Sequence, residues 1–489
     1  MSRINHRSLA AAAAGLLLAA APAWATSGTV GPLAKVSGTS PFSGCTADQV
    51  QQQSGTNTPN SEVEPWIASS NVDRSGDGVP DLIVGYQQDR WSNGGARGVY
   101  ASVFHNGVWH QVAIPGVSTC LGGVELRVTD PWITISPNGT AYFMTFSLGD
   151  PTRDLTTVMH VNRSTDGGLT WGPPVELLRD TECCLFNDKN SITADPFDSR
   201  FVYAMWSRTR FPSEIRDTRA LARLPYAYRG DAMFARTTNG GASWEAAGAV
   251  FRPLANQFSF GHQIVVLSDG TLVAGFLTFY GSGANKKGQE IAAMISTDRG
   301  QTWTAPITVA RALPGFVSDP DDGDPVRAAE IVPEIAAGPN RTVYMVWQEA
   351  TLAPSGSAIA FAKSLNGGRN WSAPTRINTR PDVQAFTPSI EVLPDGTIGV
   401  THYDLRHNTP DTATLPTDYW FLHSHDGGAT WNETRVTPTS FDLELAPDAR
   451  GYFLGDYVGL AVRAGGFAAA FPQTEATDPA SIFVQQLAP

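Results

Sequence analysis

"STDGGLTW", residues 164–171, decides the fold, because it returns as "TTNGGASW" (237–244), "STDRGQTW" (296–303), "SLNGGRNW" (364–371) and "SHDGGATW" (424–431), with a worn copy, "SVFHNGVW", at 102–109. The copies start roughly 60 to 70 residues apart, and a near-fixed period of this length marks an array of one supersecondary unit. Each residue of the octet suits a tight turn. Ser or Thr and Asp or Asn bond nearby amides, the glycines accept positive φ, and the indole packs between units. Five good copies in an array cannot all be one active site, so the octet reads as structural.

The unit is clearest around the last copy: "PSIEVL" (388–393), the turn "PDG", "TIGVTHYD" (397–404), a variable loop, "DYWFLHS" (418–424), the octet's turn, and "ETRVT" (433–437). Short alternating runs bounded by Gly, Pro, Asn and Asp predict four antiparallel strands, A to D, with the octet between C and D. A repeated four-stranded meander is a propeller blade. First strands are expected near Trp66, Trp132, Ser191, Gln263, Pro333 and Ser389. Three more strands, "YVGLAV", "GFAAAFPQ" and "SIFVQQL", follow the last octet, and "TVGPLAKVSG" (29–38) can supply their fourth. The expectation is an all-β, seven-bladed β-propeller of four-stranded antiparallel blades: a leader over 1–25, a segment over 26–60 contributing the closing strand, and the propeller over 61–489.

The octets resemble the Asp-boxes, or BNR repeats, of the sialidase superfamily, and the blade grammar carries the resemblance from about residue 60 to 489. It implies a glycoside hydrolase, most specifically an exo-α-sialidase cleaving terminal sialic acid, with no cofactor required for catalysis and carbohydrate as partner. Sialidases have six blades, which is the alternative count. The family's opening Phe/Tyr-Arg-Ile-Pro motif is absent, and "EVEPWI" (62–67) stands in its place. The alternatives are a polysaccharide lyase or other hydrolase acting on acidic sugars, and a non-catalytic propeller that binds glycan or protein.

In a meander the A–B and C–D turns share one face, so chemistry is sought on the other, at the starts of A strands and the ends of B strands. Those positions hold Glu62, Glu64, Asp130, Asp188, Lys189, His262, Arg327, Glu330, Glu334, Asp456 and Tyr457, and Asp89, Arg90, Arg208, Glu349, Asp404 and Arg406. Such groups are costly beside apolar strands unless paired or used. The resemblance implies Tyr457 as nucleophile, Glu330 or Glu334 as its base, Asp89 or Asp130 as acid, and Arg90, Arg327 and Arg406 as carboxylate ligands, since guanidinium forks match carboxylates. From the residues alone, the Asp-Arg pairs equally suit ion pairs between blades, His262 suits a satisfied core histidine, and Glu64, Asp130, Asp188 and Asp456 could coordinate a cation in the central channel.

"DRSGDGVPD" (73–81) spaces Asp73, Ser75, Asp77, the Val79 carbonyl and Asp81 as a calcium loop does, and a plain turn explains it equally. The cysteines are Cys45, Cys120, Cys183 and Cys184, and the expected pairing runs from the vicinal pair back to Cys45 and Cys120. Arg3 and Arg7 before an apolar run, Leu9 to Ala21, and Ala23-Trp24-Ala25 before Thr26 predict a secretory signal cleaved near Ala25, hence a secreted or periplasmic protein. No later run is long enough to span a membrane. A net charge of −12 argues against nucleic acid as partner.

Overall fold

A computed structural model describes residues 28–489 apart from 75, 77–80, 212–228, 256, 281–287, 329–331 and 464. The expected leader lies outside the described residues. Among the described residues no helix is long and apolar enough to cross a membrane.

The chain is all-β and propeller-like, a succession of antiparallel meanders. The first comprises Asn57–Ser69, Leu82–Trp91, Ala96–His105 and Val108–Ala113; the second Arg127–Ile135, Ala141–Leu148, Thr157–Ser164 and Val175–Asp180. The third and fourth begin at Leu185–Ala194 and Gln257–Val266, the fifth and sixth at Glu334–Ala337 and Ala385–Val392. Last come Gly459–Arg463, Gly466–Glu475 and Asp478–Ala488, and Thr29–Val30 and Ala34–Lys35 pair with the outer edge of Asp478–Ala488. First strands touch in chain order, and the last, Gly459–Arg463, returns to Asn57–Ser69. Second strands such as Leu82–Trp91 are buried along their whole length, because meanders stack against both of their faces.

A repeated irregularity positions the chemistry. Register shifts fall between Val63 and Trp66, Thr129 and Trp132, Asp188 and Ser191, Phe260 and Gln263, and Phe386 and Ser389, at one place in five first strands. Inside them sit Glu64, Asp130, Lys189, Gly261 and Thr387, at φ of 54°, 50°, 48°, 66° and 48°. A bulge of this kind swings one side chain off the sheet face. In three of them proline follows, Pro65, Pro131 and Pro388, which is tolerated where the ladder is already broken.

The octets form five near-identical turns. Ser164 Oγ donates to Asp166 Oδ1 at 2.7 Å and accepts from Gly168 N at 2.9 Å, while Thr170 N donates to Asp166 Oδ1 at 3.0 Å. The same three bonds recur from Thr237, Ser296, Ser364 and Ser424. Trp303 meets Phe234 of the preceding meander edge-on at 5.7 Å, and Trp431 meets Phe361 at 5.3 Å, so each of these turns staples two units. Hydrogen bonds from Thr302 lower the Asp298 carboxyl to about 2, and at Asp426 burial is outweighed by Thr430, again to about 2. A carboxylate depressed on folding adds stability above its unfolded pKa, about 3.9, and loses it as pH falls through its folded value. Acid titration followed by tryptophan fluorescence should therefore show Asp298→Asn to be less stable than the parent at pH 7, with the gap closing toward pH 2.

The cysteine pairing differs from expectation. Cys45 is bonded to Cys120, and Cys183 Sγ lies 2.7 Å from Cys184 Sγ. The N-terminal segment explains this: Phe42 packs where a side chain at Gly98 would stand, and Arg97 bonds Asp48 at 2.6 Å. Cys45 is thus delivered to the link after the first meander, whereas Cys183 and Cys184 open the third.

Candidate functional site

The bulges aim their side chains at one another. Lys189 Nζ lies 2.7 Å from Asp456 Oδ2, 3.2 Å from Asp130 Oδ2 and 3.3 Å from Glu64 Oε1, with the lysine only 7% exposed. A place the sequence offered to a bound cation is taken by the chain's own ammonium. Burial works against the charge on Lys189, but Asp130, Asp456, Glu64 and Asp188 outweigh it and raise its pKa. Burial raises Glu64 and Asp130 against the pull of Lys189, whereas Asp456 is driven down against burial, because Arg327 and Lys189 both pair with it. Arg327 Nε donates to Asp456 Oδ1 at 2.9 Å and its Nη2 reaches Oδ2.

Three guanidinium groups gather above this cluster. A small sheet joins two links between meanders: Pro325–Arg327 runs parallel to Tyr452–Phe453, with Arg327 beside Phe453. Arg327 and Arg90 both lie over the Phe453 ring, at 4.3 and 4.8 Å from its centroid. Arg90 is buried, donates to Gln87 Oε1 at 2.9 Å, and leaves its Nε without a hydrogen-bond partner. Arg450 is the exposed member, with a left-handed backbone at φ 78°. Its pKa falls to about 10, first through repulsion by Arg327, then through crowding of its charged end, with Arg90 adding to it. Asp188, a half-buried residue beside Lys189, has its carboxyl raised by burial against the pull of Lys189. Arginines gathered in this way attract a planar anion, and carboxyls with raised pKa can hold a proton for it.

The other predicted residues are distributed more widely. Tyr457 lies one layer beneath the cluster, 2% exposed, its ring 5.1 Å from Trp132 and 5.6 Å from Lys189 Nζ, and its hydroxyl donates to the Pro131 carbonyl at 3.2 Å. Burial, then Glu64, raises its pKa, so Glu64 is the carboxylate it feels most. Glu334 accepts from Gln263 at 2.9 Å, away from Tyr457, and burial raises its pKa; Glu330 lies outside the described residues. Asp89 fastens the N-terminal segment, accepting from Ser40 Oγ at 2.6 Å and Asn60 N at 3.0 Å. Arg406 pairs with Asp404 and Glu433, each at 2.6 Å, and stacks 3.5 Å over Trp420. The structure thus brings together Arg90, Arg327, Asp130 and Tyr457 and leaves Arg406, Asp89 and Glu334 elsewhere. Arg450 has no counterpart among the sequence candidates; the only signal was its place in the last link before "GDYVG". Of the 73–81 loop, Ser75, Asp77 and Val79 lie outside the described residues, Asp73 accepts from Gly76 N at 2.7 Å, and Asp81 faces His105 Nδ1 at 3.2 Å.

Residues 294–305 match the BNR/Asp-box repeat. No curated protein sequence matches the chain. Among solved structures it is similar to a protein of unknown function from Dyadobacter fermentans (15% identity, TM-score 0.47, covering 74% of this chain and 94% of that one). It is also similar to an α-L-arabinofuranosidase from Fusarium graminearum (13%, 0.45, 73% and 92%). A third is Trypanosoma rangeli sialidase (11%, 0.45, 78% and 55%), of whose length this chain spans about half. The matched segment contains "STDRGQTW", and since its hydrogen bonds recur in four further octets, the chain carries BNR/Asp-box repeats.

Proposed function

We propose that the protein is a seven-bladed propeller that hydrolyses glycosides of an acidic sugar, with terminal sialic acid as the leading substrate. The cyclic contact of first strands, closed by the N-terminal strands, supports the count of seven. The observation that carries the activity is the convergence of Arg90, Arg327 and Arg450 over a buried carboxylate cluster. In this reading the sugar carboxylate takes the guanidinium groups, Tyr457 attacks the anomeric carbon as its proton passes to Glu64, and Asp188 protonates the departing oxygen; water then releases the sugar. Substrate must draw the Tyr457 hydroxyl off the Pro131 carbonyl. Asp130, pinned beneath Lys189, tunes the charge around them.

That engaged, buried hydroxyl favours a second reading, in which the same face binds an anionic glycan without turnover. A fluorogenic sialoside, with acidic polysaccharides assayed in parallel, separates the two. Sialic acid release that disappears in Tyr457→Phe and weakens in KM for Arg450→Ala supports hydrolysis. Release that survives Tyr457→Phe removes it as nucleophile, and glycan binding without release supports the second reading. Export with cleavage near Ala25, to the periplasm or the medium, and a structural calcium at 73–81, where Asp81 Oδ2 is buried without a partner, belong to the same proposal.

A further inference from the structure

The third meander opens on a chemical group that neither the hub nor the octets use. Cys183 and Cys184 lie between Val175–Asp180 and Leu185–Ala194, the strand that carries Asp188 and Lys189. The corner is tied at its base: Asn187 Nδ2 and Arg208 Nε donate to Asp180 Oδ2 at 2.8 and 2.7 Å, and Phe211 N donates to the Cys184 carbonyl at 2.8 Å. Its tip is open to solvent, with Thr181, Glu182 and Cys183 exposed and Cys184 half-buried. Two features single out the pair. The sulfurs are 2.7 Å apart, inside even the roughly 3.5–4.0 Å at which carbon atoms pack without a bond, although sulfur is the larger atom. Cys184 has φ 77°, a left-handed backbone that a residue with a Cβ keeps only when its surroundings hold it there. The other two of the chain's four cysteines are already bonded to each other, so the pair is left with itself.

We propose that Cys183 and Cys184 form a reversible redox site: the two thiols close on each other as a vicinal disulfide, which thiols in the surroundings reopen. Closing is exchange with an external disulfide, small molecule or protein. One cysteine thiolate attacks that disulfide and expels one of its sulfurs as a thiolate, and the neighbouring cysteine then displaces the other. The two cysteine protons pass to the departing thiolates, so the chain is oxidised by two electrons and the external disulfide is reduced to two thiols. Adjacency favours the second displacement, because the mixed disulfide and its attacker share one corner. It also makes the bond easy to open. Adjacent Cα atoms are held about 3.8 Å apart, short of the roughly 4.4–6.8 Å that an unstrained disulfide spans, and strained, exposed bonds are the readily reduced ones. A ring this small takes little freedom from the unfolded chain, so its closure adds hardly any stability, unlike Cys45–Cys120, whose partners are 75 residues apart. An exposed bond that opens easily and holds little together suits reversible chemistry, not stapling.

The test uses the whole folded protein, purified without reductant, incubated with oxidised glutathione, then alkylated in denaturant and mapped by mass spectrometry. The peptide that carries Cys183 and Cys184 should be unlabelled and lighter than its dithiol form by two hydrogens. Dithiothreitol added to the folded protein should open this pair at a concentration at least about tenfold below that needed for Cys45–Cys120. Tm should stay almost unchanged until the second bond opens. Cys184→Ser should keep glutathione on Cys183, an adduct that the parent discharges through its second thiol. Labelled thiols at both positions after the oxidant, glutathione retained on the parent's Cys183, or a bridge from either residue to Cys45 or Cys120 would each overturn the site. So would a pair that resists dithiothreitol until Cys45–Cys120 opens. None of these readouts depends on what the hub binds.

Discussion

Lys189→Met should destabilise the protein by about 3–5 kcal/mol at neutral pH, the usual consequence of removing one partner from a buried charge cluster. The ammonium is within 3.3 Å of three carboxylates from three meanders, two of which, Glu64 and Asp130, burial already raises. Without it those carboxyls face one another in a site that water hardly enters. The pH dependence that these raised carboxyls impose should then grow. A carboxyl raised on folding binds more protons folded than unfolded, so stability falls as pH rises between its unfolded and folded values and recovers on acidification. Lys189→Met should therefore regain part of its loss between pH 7 and pH 5. The parent, whose Asp456 is depressed, keeps that group's contribution down to pH values below the ordinary aspartate range. Urea midpoints at both pH values measure this. A loss under 1 kcal/mol at pH 7, or a variant that weakens further at pH 5, would show that the lysine does not hold the cluster together.

What the sequence could and could not reveal follows from where each interaction is made. The octets were readable because their bonds stay within seven residues: Ser296, Asp298, Gly300 and Thr302 satisfy one another locally, whatever surrounds them. Thr29–Val30 and Ala34–Lys35 pair with Asp478–Ala488, an outer strand edge that needs a partner and that the sequence signals only as a run of three strands short of a fourth. The centre was less legible. Glu64, Asp130, Lys189 and Asp456 come from four segments as much as 392 residues apart, and their convergence depends on bulges that no alternating pattern announces. Sequence position made Arg406 equivalent to Arg90, since both follow an aspartate at the end of a second strand. Arg406, however, found Glu433 on its own meander, while Arg90 turned inward to Phe453. Arg450 was invisible for the opposite reason: it sits in a link with no repeat to align it.

The octet supplies the second large expected effect, and it separates the scaffold from the site. Gly300→Ala should cost about 3 kcal/mol, the sum of backbone strain and overpacking. Gly300 has φ 85°, a left-handed conformation that alanine adopts unwillingly, and a methyl there would lie 2.4 Å from Phe234 Cζ. Phe234 cannot easily retreat, because Tyr203 stacks on it at 6.3 Å and Trp303 meets it edge-on at 5.7 Å. Gly427→Ala in the sixth meander, at the octet position where Arg299 stands in the fourth, is a control for strain alone: its φ is 68°, and the methyl would first meet Lys363 Nζ at 3.9 Å, so about 1 kcal/mol remains. The difference in denaturation midpoint between the two variants isolates the contact between neighbouring meanders from the turn itself. Equal losses would mean that Gly300 serves only the local turn and that stapling adds nothing. In either case anion binding per folded molecule should be unchanged, since the octets follow third strands at the end away from the arginine cluster. A loss of binding in the folded Gly300→Ala protein would instead show that the two ends of the meanders are mechanically coupled.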